Sequence, residues 1–412
     1  MVKILRNCRG YGRLIEKSSI NLRYRKKAMC STKRREDEGL TILKKLKLLC
    51  ILISLIGSSV VLFSLTSCGS SSTNANATPL VWKFAYMSDH KLDQATDPIN
   101  YTNLPAVQRM AADMVTQGVN MVITGGDLID GRGQSVAGLN AQYAAWIGAM
   151  ASVYNANIPV YAVPGNHEYW CDTKNSCTSA WNTTIAPQLP AGRMNNPAHP
   201  DREYSFVFNN AYFLGMNQNQ FEQGVNQPYY YHGNDMDWIE SQLAGRDAVA
   251  QPHVIAFGHM PQFQLGYEWT DHNQKSNREA FWNTLGGAGA KMYLTGHSHL
   301  YALALIQTKD GSKSIYQILA GSGGAEKSSW NGNYAPSEAS RITAIDNDKN
   351  YDGYALVTIN DRQVTMEWRY YDPGAGVFKS KIGFTLQPTI GISRGMALQG
   401  GQMQRFVQDD FV

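Results

Sequence analysis

Short apolar segments alternate with helical patterns in the chain after residue 80, and this alternation constrains the fold more than any other feature. Strands are predicted at 81–87, 120–124 and 158–163, with helices at 106–117 and 141–154 between them. A repeat of strand, helix and strand at this spacing is typical of parallel βαβ units. The sequence therefore predicts an α/β fold.

The pattern changes after residue 200, where antiparallel strands are expected. A tight turn at 209–210 predicts a hairpin over 204–214. Helices are then predicted at 236–243 and 279–285. Further strands are predicted at 253–257, 291–295, 301–307, 314–319, 354–359 and 363–369. Parallel and antiparallel strands are thus both expected.

Five of the predicted strands end in polar residues that can bind a metal ion. These residues are Asp89, Asp127, Asn166 with His167, His259, and His297 with His299. The carboxyl ends of parallel strands are where ligands gather in α/β folds. Oxygen and nitrogen donors without a thiolate suit Mn²⁺, Fe or Zn²⁺. The sequence therefore predicts a metal site at the C-terminal ends of the strands.

The order of these motifs resembles the calcineurin-like metallophosphoesterase superfamily, and flanking residues are similar to its purple acid phosphatase-like branch. The matching motifs are Gly126-Asp127, Gly165-Asn166-His167-Glu168, Gly258-His259 and Gly296-His297-Ser298-His299, with Tyr204-Ser205-Phe206 and His259-Met260-Pro261 carrying the branch resemblance. The resemblance spans about 81–370. It implies a four-layer αββα sandwich with two central mixed β-sheets.

The resemblance also implies a dinuclear centre of Fe, Mn or Zn ions. Asp127 would bridge the two ions, Asn166, His259 and His297 would hold one, and Asp89 and His299 the other. A metal-bound hydroxide would attack a phosphate monoester in line, with diesters as the second substrate class. His167 would act as general acid, and Glu168 would orient its imidazole.

One motif departs from the family pattern, because Lys91 stands where the family has a metal-binding histidine. A lysine ammonium has no lone pair for a metal. Three alternatives follow: His90 turns into the site, a loop residue such as Asp93 substitutes, or Lys91 contributes positive charge to a weakened first metal site. Purple acid phosphatases use a tyrosine at the position of Asp130, which could serve as a ligand or as a neighbour of one.

The alternative to an enzyme is therefore a non-catalytic or mono-metal phosphate-binding lipoprotein of the same fold. Retention of His167 favours the enzyme, since a binding protein has no use for a leaving-group acid.

The N-terminal sequence predicts export from the cytoplasm. Residues 1–47 contain 15 Lys/Arg and 4 Asp/Glu, and residues 48–67 contain no charge. Leu65-Thr66-Ser67-Cys68 resembles a lipoprotein lipobox, which predicts a signal peptide over 1–67, a lipid on Cys68 and a flexible tether at 68–80. An uncleaved membrane anchor is the alternative. Both interpretations place the remaining chain outside the cytoplasm, on the periplasmic or cell-surface side of a membrane.

The rest of the chain is mildly acidic, with 22 Lys/Arg against 29 Asp/Glu after residue 47. No nucleic-acid partner is expected from that balance, and the expected partner is a small phosphorylated substrate. Residues 81–370 are assigned to the catalytic domain and 371–412 to a C-terminal extension. In an oxidising compartment Cys171 and Cys177 are expected to form a local disulfide, with two free thiols as the alternative.

Overall fold

A computed structural model describes residues 80–92, 102–221, 229–231, 233–265, 272–330, 332–334, 336–387, 398–399 and 402–403. The predicted signal peptide at 1–67, Cys68 and the tether up to residue 79 lie outside the described residues. The chain divides into the units 1–77 and 78–412, and the fold given below is that of the second unit. None of the helices in the described ranges combines the length and the apolar character needed to cross a bilayer.

The strands are numbered along the chain. They are β1 (Val81–Met87), β2 (Met121–Thr124), β3 (Val160–Ala162), β4 (Met194–Asn195), β5 (Tyr204–Phe208), β6 (Ala211–Gly215), β7 (Asn219–Phe221), β8 (Tyr229–Tyr231), β9 (His253–Phe257), β10 (Met292–Thr295), β11 (Tyr301–Gln307), β12 (Ser314–Ala320), β13 (Ile342–Asp348), β14 (Gly353–Asn360), β15 (Gln363–Asp372), β16 (Val377–Leu386), β17 (Leu398–Gln399) and β18 (Gln402–Met403). The α-helices are α1 (Leu104–Thr116), α2 (Val136–Ala149), α3 (Ala151–Asn155), α4 (Lys174–Ala180), α5 (Met236–Gly245) and α6 (His272–Gly287).

Two mixed sheets form the centre of the fold. The first has six strands in the order β16-β15-β14-β1-β2-β3, and β1, β2 and β3 run parallel. The second has eight strands in the order β13-β11-β12-β10-β9-β6-β5-β4, with β6, β9, β10 and β12 parallel. The remaining pairs in both sheets are antiparallel. The prediction of two mixed sheets is confirmed.

The two sheets face each other through aromatic side chains. Phe84 of β1 meets Phe213 of β6 edge-to-face at 5.5 Å between ring centroids, and Tyr301 of β11 stacks on Trp368 of β15 at 4.4 Å. Helices α1 to α4 contribute to the same apolar core. A second core joins the opposite face of the eight-stranded sheet to α5 and α6. The layers are therefore helices, sheet, sheet and helices, as predicted.

Three edge strands, β4, β13 and β16, were not anticipated from the sequence. Strand β13 is largely exposed, and in β16 Phe384 alone is buried among the ten residues. Edge strands that face solvent carry little apolar alternation, so their sequences give no clear strand signal. Strand β16 pairs along β15, which means that the first sheet continues past residue 370.

The predicted local disulfide between Cys171 and Cys177 is present, with 5.7 Å between the Cα atoms. It joins the segment that follows His167 to α4. The predicted helix at 141–154 is two helices, α2 and α3, which meet at Met150.

Candidate active site

Three of the predicted metal ligands lie in tight turns after the ends of β1, β2 and β10. The φ angles of Asp89, Asp127 and His297 are 63°, 51° and 70°, so these residues adopt the left-handed conformation. That conformation is uncommon for residues with a Cβ, and it clusters at functional sites. The turns bring side chains from different strands of both sheets to one place.

The loops after β2 and β3 are in close contact at Gly165. A Cβ at this position would collide with Asp127 Oδ1 and would lie 2.6 Å from the Asp127 backbone N and 2.8 Å from His259 Nδ1. Real Cβ atoms essentially never come within 3.0 Å of such neighbours. Glycine is therefore required for the loop that carries Asn166 to approach Asp127.

Asn166, His259, His297 and Asp127 bring four donor atoms together, and we call them the complete donor set. Asn166 Oδ1 lies 2.9 Å from His259 Nε2 and 3.0 Å from His297 Nδ1. The two imidazole nitrogens are 3.3 Å apart, and Asp127 Oδ1 is 3.4 Å from His259 Nε2. Ligand atoms that share one metal ion at bond lengths of about 2.1 Å lie roughly 3.0–3.4 Å from each other. These four donors fit such an ion.

The tautomer of His259 supports a cation at this position. Its Nδ1 lies 2.9 Å from the Gly125 carbonyl oxygen, so Nδ1 carries the proton and Nε2 presents a lone pair. This lone pair faces the Oδ1 of Asn166, and two acceptors at such a distance repel each other unless a cation lies between them. Burial lowers the pKa of His259, and it lowers that of His297 well below its usual range. Both imidazoles are therefore neutral and able to bind metal.

A second group, which we call the partial donor set, contains Asp89 and His299 and shares Asp127. His299 donates from Nδ1 to the Glu326 carbonyl oxygen at 2.7 Å, so its Nε2 presents a lone pair 3.7 Å from Asp89 Oδ1. Asp89 Oδ1 is buried and has no hydrogen-bond partner among the described residues. Its Oδ2 accepts from the His297 backbone N–H at 2.8 Å.

His90 does not supply the missing donor. Its Nδ1 accepts a hydrogen bond of 3.0 Å from Trp146 Nε1 of α2, and the two rings stack at 6.0 Å. Burial lowers the pKa of His90 to about 3, so the ring stays neutral. The possibility that it turns into the metal site is therefore wrong, because α2 already holds the ring. Asp93 lies outside the described residues.

Lys91 brings a positive charge to the site. Its side chain is buried, with 7% exposed. Burial, followed by the Lys91 charge, lowers the pKa of His299 to about 4. Burial opposes ionisation of Asp127, yet electrostatic interaction with His259, His167 and Lys91 holds its pKa below the usual value. The arrangement favours the third alternative, in which the lysine contributes charge rather than a ligand.

Glu168 holds the two central loops together by accepting three backbone hydrogen bonds. The donors are the N–H groups of Asp127 at 2.8 Å, Leu128 at 2.9 Å and Gly165 at 2.6 Å. None of the hydrogen bonds described for Glu168 reaches His167, which it was expected to orient. The reason is local geometry: the two residues open a 3₁₀ turn, His167–Tyr169, where successive side chains point in different directions.

Asp130, rather than Glu168, orients the imidazole of His167. Nδ1 of His167 lies 2.6 Å from the Asp130 carbonyl oxygen and 3.3 Å from its carboxylate, and that carboxylate is 2.9 Å from Arg132 Nε. The proton on Nδ1 is thereby fixed, and Nε2 lies 3.9 Å from Asp127 Oδ2. His167 therefore presents Nε2 at the edge of the donor sets, where a leaving group could receive a proton.

The structure thus brings together all the predicted metal ligands and His167. The contacts that the sequence could not assign are made by backbone atoms, such as the carbonyl groups of Gly125, Asp130 and Glu326. Every residue type has such a carbonyl, so these contacts cannot be predicted from the sequence. The position of Asp130, three residues after Asp127, was the one available signal.

Comparison with known proteins identifies the class to which this site belongs. Residues 83–301, over half of the chain, match the family described as calcineurin-like phosphoesterase. The chain belongs to this family, whose members are metallophosphoesterases. A comparison with curated proteins finds no match.

Solved structures are similar to this chain at low sequence identity, and the first of those given below, with a TM-score above 0.5, shares its fold. The purple acid phosphatase PPD1 from yellow lupin (Lupinus luteus) seeds is 18% identical, with a TM-score of 0.51 over 74% of this chain and 53% of that chain. PhoD is 14% identical, with a TM-score of 0.49 over 74% and 69% of the two chains. A dimetal phosphatase from Danio rerio is also 14% identical, with a TM-score of 0.46 over 74% and 99%. The chain spans about half the length of the lupin enzyme.

Proposed function

We propose that this protein is a metal-dependent phosphoesterase that acts outside the cytoplasm, with phosphate monoesters as its main substrates and diesters as the second class. The observation that carries the proposal is the complete donor set, in which neutral acceptors face each other at distances that suit one shared metal ion. Family membership supports phosphoester hydrolysis as the reaction.

The metal would be held by Asn166, His259, His297 and Asp127. When bound, it supplies positive charge that stabilises a phosphoryl group under attack by water. His167 holds a proton at Nε2 and gives it to the departing alkoxide oxygen, while Asp130 fixes the orientation of the ring through Nδ1. The attacking water contributes the new P–O bond, and the alcohol leaves with the proton from His167.

Glu168 positions the two loops that carry Asp127 and Asn166. Its carboxylate binds the backbone on both sides of the contact between the Asp127 and Asn166 loops. Because both loops carry metal ligands, their relative position decides whether the four donors converge. Pre-organised donors bind a metal without the entropic cost of ordering the loops.

The cellular location forms part of the proposal and rests on the N-terminal sequence. The basic segment, the uncharged segment at 48–67 and the tetrapeptide that ends in Cys68 support a lipid-anchored exported protein. Incorporation of a radiolabelled fatty acid into the wild-type chain, and not into Cys68→Ala, would support the lipid anchor. Labelling that is absent from the wild type would contradict it.

The second candidate function is a phosphate-binding lipoprotein without turnover. Lys91 favours it, because this residue removes one ligand from the partial donor set. His167 favours the enzyme, because its imidazole is oriented for proton transfer although it belongs to neither donor set.

The test uses the full chain purified in detergent and supplied with Mn²⁺, Fe or Zn²⁺. Hydrolysis of p-nitrophenyl phosphate and of bis-p-nitrophenyl phosphate is measured together with the metal content. Asn166→Ala should lose both metal and turnover, whereas the exposed control Asn350→Ala should retain both. If the metal-loaded wild type hydrolyses neither ester, the proposed function is wrong.

A further inference from the structure

The partial donor set offers a second metal ion one side-chain donor fewer than the complete donor set offers the first. It offers Asp89 Oδ1 and His299 Nε2, which are 3.7 Å apart, and shares Asp127 with the complete donor set. The position from which a further ligand would come is Lys91, whose ammonium has no lone pair. The chain therefore provides four donors for one ion and fewer for another.

Backbone hydrogen bonds hold the segment that contains Lys91. A neighbouring residue therefore cannot easily rotate into the position of the Lys91 side chain. His90 N–H donates to the Asp127 carbonyl oxygen at 2.8 Å, and the His90 carbonyl oxygen accepts from Asn103 N–H at 2.8 Å. Lys91 itself forms an isolated antiparallel bridge with Thr102. The side chain of His90 is fixed by a hydrogen bond from Trp146 of α2. The backbone of the segment that carries Lys91 is therefore held in place.

We propose that the ammonium of Lys91 replaces one metal ion of the pair that the family resemblance implies, so that the protein binds a single ion in the complete donor set. This inference rests on the proposed function for its substrate, because Lys91 would then bind a phosphoryl oxygen of that substrate. A lysine donates well to phosphate as a point charge. Asp89 and His299 remain as neighbours of that charge.

The experiment measures metal ions per chain in the full-length protein in detergent, after saturation with Mn²⁺ and removal of free ions. The wild type should bind one ion. Lys91→His, which supplies an imidazole and removes the charge, should bind two ions. The control Lys83→His in β1 should still bind one, because the Lys83 ammonium contacts the Gln117 carbonyl oxygen away from the donor sets.

A second variant keeps the test decisive if Lys91→His fails to fold. His299→Ala removes a donor of the partial set and should leave one ion bound, whereas His297→Ala should leave none. Loss of the ion in His299→Ala would overturn the inference. A third variant, Lys91→Met, should keep its ion and bind inorganic phosphate roughly 10- to 100-fold more weakly. Unchanged phosphate affinity would overturn the phosphate-binding role.

The outcomes for the inference and for the proposed function are distinct. Two ions in the wild type would overturn the inference and leave the proposed function intact. One ion without turnover would support the inference and contradict the proposed function. No bound ion would overturn both. One ion in a folded Lys91→His variant would show that Lys91 is not what excludes the second.

Discussion

The contact between the loops that carry Asp127 and Asn166 predicts a specific effect of Gly165→Ala. The new Cβ would lie 2.6 Å from the Asp127 backbone N and 2.8 Å from His259 Nδ1, and it would collide with Asp127 Oδ1. The φ angle of Gly165 is not in the left-handed region, so the expected effect is steric. The substitution therefore perturbs two of the predicted metal ligands directly.

The size of the effect follows from these distances. To restore a separation of 3.0 Å, the Asp127 backbone N must move by at least 0.4 Å, although Glu168 holds it. Overpacking of this kind costs about 1–3 kcal/mol. If displacement of Asp127 and His259 relieves the strain, metal affinity should fall roughly 5- to 150-fold, which is the same free energy expressed as a binding ratio.

The assay is a metal titration of Gly165→Ala beside a thermal unfolding curve. Gly148→Ala is the matched control, because this glycine lies in α2 and a Cβ added to it would have no heavy atom within 4 Å. The control should keep wild-type metal affinity and gain up to about 1 kcal/mol of stability, since alanine favours a helix. Wild-type affinity and stability in Gly165→Ala would refute the assigned loop contact.

Three further predictions concern single side chains. His167→Ala should keep its metal and lower turnover of p-nitrophenyl phosphate roughly 10²–10⁴-fold. Full turnover in this variant would contradict the role of His167 as general acid. His297→Ala should lose metal and turnover together, and a metal content equal to that of the wild type would contradict its place in the complete donor set. Burial raises the pKa of Glu203 from 4.5 to about 8, so the stability that its neutral form provides below pH 4.5 is lost as the pH rises towards 8. Glu203→Gln should unfold at the wild-type temperature at pH 5 and at a higher temperature at pH 9, and parallel unfolding curves across this range would contradict the prediction.

Much of the fold could be predicted because the central strands are buried on both faces. Strands β1, β9 and β10 are apolar runs that stop at a polar or glycine residue, and the structure places their ends within one residue of the predicted positions. Buried parallel strands must be apolar throughout, which makes them visible in a single sequence. The exposed edge strands β13 and β16 lack that constraint and were missed.

The donor atoms of the site were predictable for a related reason. Metal ligands need particular side chains, so Asp127, Asn166 and His297 stand out in the sequence at the strand ends. The contacts that position these ligands and His167 cannot be recognised in the sequence. Glu168 binds backbone amides, and His167 is oriented by a backbone carbonyl group, so neither contact depends on the identity of the residue that it touches.

We infer that a metal ion in the complete donor set makes this protein a phosphoesterase. The most direct measurement is the initial rate of p-nitrophenyl phosphate hydrolysis by the full chain as Mn²⁺ is added, with bound metal determined on the same samples. We expect a rate that rises in proportion to bound metal and reaches its maximum at one ion per chain. A metal-loaded protein without hydrolysis, or a rate that does not depend on bound metal, would contradict this inference.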